Sequence, residues 1–156
     1  MSVGIAVEES SDIHPLVEAL DLEPVAERLA QEMGLARSAS AVVTAEREYR
    51  RFLTMKKRFP DRSFSPNKKA DRFWHWHILH TAKYAMDCRR SFGFYLHHSP
   101  GEVSVATQRS SGDTYRLLFG ESIQDSSTCD AGDPSGPIRL HEGDRPDQMR
   151  PQDLRE

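Results

Sequence analysis

The chain has 156 residues, 37% of them hydrophobic, a formal net charge of −3 and a mean hydropathy of −0.65. That length holds one domain with a self-sufficient core, and so low a hydropathy points to a folded middle between polar ends. No stretch reaches the roughly 18 apolar residues of a membrane span, MSVGIAVEESSD has no secretory-signal pattern, and Cys88 and Cys129 lie in unlike contexts that make no disulfide framework, so a cytoplasmic protein without membrane contact is expected.

Residues 1–12 read as a loose acidic leader. His14-Pro15 opens a helical stretch to about Met33, with Leu16, Leu20, Val25, Leu29 and Met33 as its apolar set. Pro24 implies either two short helices or a proline close to a helix start, and Gly34 is a plausible stop. The next helix runs from a Ser38 or Ser40 cap to about Arg58, with Val42, Ala45, Tyr49, Phe52, Leu53 and Lys56 recurring at helical spacing. After the turn-rich PDRSFSP, Ser65 as cap and Pro66 at the first position open a third, long helix over 66–92, ended by Gly93. A last helix spans about 103–119, with Val105, Tyr115, Leu118 and Phe119 apolar and a possible break at Gly112. From residue 121 onward Ser, Asp, Gly, Pro and Arg dominate, which predicts a disordered acidic tail holding Cys129 as an exposed thiol. The expected architecture is all-α: a bundle of about four to five helices over 13–120, between a flexible leader (1–12) and the tail (121–156).

One segment concentrates the chemistry. DRFWHWHILHTAKYAMDCRRSFGFYLHHSP, residues 71–100, holds five of the seven histidines, both tryptophans and Cys88. At about 100° per residue on one continuous helix, His77, His80, Tyr84, Asp87 and Cys88 share a face. His75 and His77, about 200° apart, cannot clasp one ion. A metal site is therefore expected from His77 and His80 with His97 or His98 and with Asp87 or Cys88. Imidazole and carboxylate suit zinc or iron, whereas a thiolate shifts the preference toward zinc or copper. The competing account is structural: buried imidazoles, each tied to a carbonyl or carboxylate, holding helix to helix. Asp71 and His75, at i and i+4, form a second constellation in which the carboxylate raises the imidazole's basicity. If the centre is catalytic, as in a metal-dependent hydrolase or oxygenase, His75, Asp71 and Tyr84 handle the protons.

Charge is uneven. Residues 47–72 carry ten Lys/Arg against three acids, while 1–34 carry eight acids and one Arg. The alternative function is accordingly a non-enzymatic module docking an acidic protein or RNA on the basic 47–72 face.

The run AEREYRRFLTMKKRFPDRSFSPNKKADRFWHWHILHTAKYAMDCRRSFGFYLHHSP, followed by DTYRLLFGE, resembles the bacterial members of the glycine-rich domain-containing protein-like family. The shared pattern is Tyr-Arg-Arg-Phe-Leu, Asp-x-x-Trp-His-x-His-Ile-Leu, Tyr-x-x-Asp-Cys and Phe-Gly-x-x-Leu-His-His, over roughly residues 41–120. By position the resemblance marks Asp71, Trp74, His75, His77, Tyr84, Asp87, Cys88, His97 and His98. It departs at His80, where the pattern more often has aspartate, and at Gly101-Glu102-Val103, which replace an aromatic-glycine step. The resemblance implies where a site lies and assigns no reaction. The expected protein is a small intracellular metal-binding helical protein with a His-rich site between the 66–92 helix and the His97-His98 segment, acting on an unidentified small molecule or protein.

Overall fold

The computed structural model describes residues 12–99 and 101–123, all within the unit Met1–Asp125. Six helices follow in order: α1 (Pro15–Glu18), α2 (Glu23–Met33), α3 (Ser40–Arg58), α4 (Lys68–Leu79), α5 (Thr81–Phe92) and α6 (Val105–Phe119). There is no strand among the described residues, so the all-α expectation holds. Apart from residues 12 and 121–123, the expected leader and tail, with Cys129, lie outside the described residues.

Helix α3 is the axis on which α1, α2, α4 and α6 pack. Its expected stripe is buried at Val42, Ala45, Tyr49, Phe52 and Leu53, while Lys56 is half-buried. Each fully buried large apolar side chain contributes about 1.5–3 kcal/mol, so this stripe fixes which way α3 faces. Because helices cover α3 on more than one side, Glu48, Arg51 and Thr54 are buried as well. They are held by hydrogen bonds: Tyr115 Oη donates to Glu48 Oε2 at 2.9 Å and accepts from Arg51 Nη1 at 2.6 Å, seating α6 on α3.

Pro24 lies in the first turn of α2, where its missing N–H costs nothing, and Gly34 closes α2 at φ 64°. Four other local expectations are corrected. Helix α4 starts at Lys68, not at Pro66, because the Asn67 side chain does the capping: Oδ1 accepts from Ala70 N at 2.9 Å while Nδ2 donates to buried Glu48 Oε2 at 2.8 Å. Helix α6 runs through Gly112 unbroken, and Val105, expected in the core, is 70% exposed.

The fourth correction matters most for the site. The expected 66–92 helix is two helices, broken at His80, whose backbone sits at φ −81°, ψ 64°. The His80 ring Nδ1 binds the Trp76 carbonyl at 2.8 Å, and the His80 N–H turns back to the His77 carbonyl at 3.1 Å. The last turn of α4 is thereby tightened and closed without glycine or proline. No face is continuous across the two helices.

Candidate metal centre

Asp71 stands in the first turn of α4 and His75 one turn later on the same face. The third member arrives from beyond α5. Gly93 ends α5 at φ 80°, and the chain returns through Leu96, which is buried and whose carbonyl accepts the Tyr84 hydroxyl. That anchor sets His98 on the Trp74 ring, with centroids 4.4 Å apart. His98 Nε2 then donates to Asp71 Oδ1 at 2.8 Å, and His75 Nδ1 faces Asp71 Oδ2 at 3.4 Å. One donor atom from each of Asp71, His75 and His98 falls within 4.8 Å of the others. Their side chains are 38%, 55% and 17% exposed, so the group is rooted at His98 and open at His75.

The three residues lie on the wall of a cavity of about 590 Å³. Phe52, Phe64 and Trp74 give it an apolar side, and Lys56 and His97 contribute to its polar side. A metal of the zinc type takes N and O ligands at about 2.0–2.2 Å, hence about 3.4 Å from one another in a tetrahedron. The 3.4 Å between His75 Nδ1 and Asp71 Oδ2 fits that spacing, and the 2.8 Å between His98 Nε2 and Asp71 Oδ1 is a hydrogen bond that an ion would replace. The donor chemistry, one carboxylate and two imidazoles, fits a divalent ion with positions left open.

The residues expected to form the centre are distributed differently. His77, His80, His97 and His98 do not converge. His77 is buried with both ring nitrogens engaged: Nε2 donates to Asp87 Oδ2 at 2.9 Å and Nδ1 accepts from Tyr49 Oη at 2.9 Å. A carboxylate only accepts, so Nε2 carries the proton and the neutral ring satisfies both neighbours. Burial pushes the His77 pKa down to about 4, against the opposing pull of Asp87. Asp87 is also paired with Lys83 Nζ at 2.9 Å. His80 turns to the Trp76 carbonyl, and His97 is exposed beside the Tyr95 ring, centroids 4.8 Å apart.

Cys88 is buried, and burial raises its thiol pKa, so it stays protonated. Tyr84, expected to move protons, is buried, with its hydroxyl donating to the Leu96 carbonyl and accepting from Trp74 Nε1 at 2.8 Å. Burial drives its pKa far above the ordinary phenol value. Its part is to hold the return of the chain that delivers His98. The structural account of the histidines therefore describes His77 and His80, while His75 and His98 meet at the surface.

Part of the basic 47–72 set is tied into the fold, while Arg47, Arg58, Arg62, Lys68 and Arg72 are exposed. Arg50 bonds the Val17, Glu18 and Leu20 carbonyls and Glu46, Arg51 pairs with Glu121, and Arg72 with Glu32. No helix among the described residues is long and apolar enough to cross a membrane.

Fold and site together define a small all-helical protein with a carboxylate–bis-imidazole group on a cavity wall. The chain belongs to the UCP032817-like family, whose model matches residues 15–140. No curated protein and no solved structure matches it.

Proposed function

We propose that this protein binds one divalent transition-metal ion, zinc or iron in preference to copper, through Asp71, His75 and His98, and turns the ion's remaining positions toward the cavity. The observation that carries the reading is the convergence of one carboxylate and two imidazoles, from two separate parts of the chain, beside a space large enough for a small molecule. An ion so held supplies Lewis-acid or water- and dioxygen-activating chemistry, which suits a metal-dependent hydrolase or oxygenase. In this reading Asp71 and His75 are ligands, and His97 on the cavity wall is the imidazole available to carry protons. The Trp74 ring beneath His98 and the Tyr84–Leu96 bond keep the third ligand in place. The reading extends to kinship with the glycine-rich domain-containing protein-like family, whose Asp-x-x-Trp-His and Leu-His-His segments would supply the same three ligands.

Elemental analysis of protein purified without a histidine tag tests it. About one equivalent of zinc or iron is expected, and its loss is expected in a His75→Ala/His98→Ala double variant that keeps the wild-type circular dichroism. A folded wild-type protein that is metal-free and takes up neither ion when dialysed against it would overturn the proposal.

A further inference from the structure

Lys56 stands on α3 one turn after Phe52 and lines the same cavity as the three ligands. It is half-buried, and among the described residues its ammonium meets one polar partner, the Arg62 carbonyl at 3.4 Å, and no carboxylate. Desolvation holds its pKa below the ordinary lysine value. Arg37, Arg50, Arg51 and Lys83, by contrast, each face a Glu or Asp oxygen within 3 Å. Withdrawing a charge from water without a counter-charge is costly. Asp71, the carboxylate that shares this cavity, already has its two oxygens turned to His98 and His75. Lys56 therefore presents to the cavity an ammonium with no carboxylate partner among the described residues, and Phe52, Phe64 and Trp74 give a bound molecule an apolar wall. The volume, about 590 Å³, lies within the range of about 300–1,000 Å³ typical of small-ligand sites.

We infer that the cavity receives a small organic carboxylate, its charged head attracted by Lys56 and by the ion on Asp71, His75 and His98, its apolar body against Phe52, Phe64 and Trp74. The inference rests on the metal reading for one of its two attractions; Lys56 supplies the other without it.

Calorimetric titration of benzoate, neutral benzamide and inorganic phosphate into the full-length protein, both metal-free and after zinc loading, tests it, with zinc uptake recorded in the same samples. Benzoate is expected to bind at least tenfold more tightly than benzamide or phosphate in both forms, and more tightly still with zinc. Lys56→Met is expected to weaken benzoate at least tenfold, while Lys56→Arg retains it. Equal affinity for benzoate and benzamide, tighter binding of phosphate, or full benzoate affinity in Lys56→Met overturns the inference. A protein that takes up no zinc defeats the metal reading alone, and the metal-free comparison of benzoate with benzamide then decides the preference of the cavity.

Discussion

His77 shows how one residue can be prominent in a sequence and closed to chemistry in the fold. Its ring lies between a hydroxyl that donates and a carboxylate that accepts, which suits the neutral tautomer and no other state. A second proton would face the Tyr49 hydroxyl, whose own hydrogen would then be buried without an acceptor. The sign of the pH dependence follows. The folded pKa, about 4, lies below the ordinary histidine value of about 6.5 that the unfolded chain keeps. The unfolded state therefore binds more protons between those values, and stability is full above pH 6.5 and falls as pH drops toward 4. Urea unfolding at pH 7.5 and pH 5 should show a loss of about 2 kcal/mol attributable to this group. His77→Gln should lose correspondingly less over the same interval. An identical pH slope in the two proteins would contradict the assignment. At this scale the sequence was informative about Asp71 and His75, since i, i+4 spacing alone places them together. It was silent on His98 against His97, because that choice depends on how Leu96 is anchored by Tyr84, a contact twelve residues apart.

Between residue and fold, the ends of helices decide what meets what. The start of α3 is capped by Ala39 with no side-chain bond and not by Ser38 or Ser40, whereas its end was legible, since its period is long and Phe59-Pro60 stops it. The break at His80 was not, because neither neighbour is glycine or proline and the closure is made by a histidine side chain on a carbonyl four residues back. The single helix expected there put His80 on the face of His77 with Asp87 and Cys88, whereas in the fold His80 turns to the Trp76 carbonyl while Asp87 still meets the His77 ring. The start of α4 is testable directly. Asn67→Ala removes a cap and also a partner of buried Glu48, and should cost about 2–3 kcal/mol. Ser65→Ala, at the cap position suggested by Ser65-Pro66, should cost under about 0.5 kcal/mol. Chemical denaturation that ranked the two variants in the opposite order would return the cap to Ser65.

Across the whole molecule, part of the positive charge works as internal fastening. Arg50 gathers three carbonyls around the end of α1, one of them, Val17 O, at 2.7 Å, and is itself only 15% exposed. Arg50→Met should therefore lower the thermal midpoint by several degrees, corresponding to about 2–3 kcal/mol for charge-assisted bonds lost in a partly buried setting. A surface role would leave the midpoint unchanged. The count of ten basic residues in 47–72 could not distinguish these roles, because their carboxylate and carbonyl partners come from α1, α2 and residue 121, far off in the chain. What the sequence pattern did reveal was the layer type: apolar periodicity near 3.6 and no alternating strand pattern, as the six helices among the described residues bear out.

The central claim is that an ion is held by Asp71, His75 and His98 and not by the buried set around His77 and Cys88. X-ray absorption of the zinc-loaded protein measures this directly. The expected spectrum has only nitrogen and oxygen neighbours at about 2.0–2.2 Å, with the outer-shell signature of two imidazoles. A sulfur neighbour at about 2.3 Å, or a spectrum unchanged in His75→Ala/His98→Ala, would contradict it.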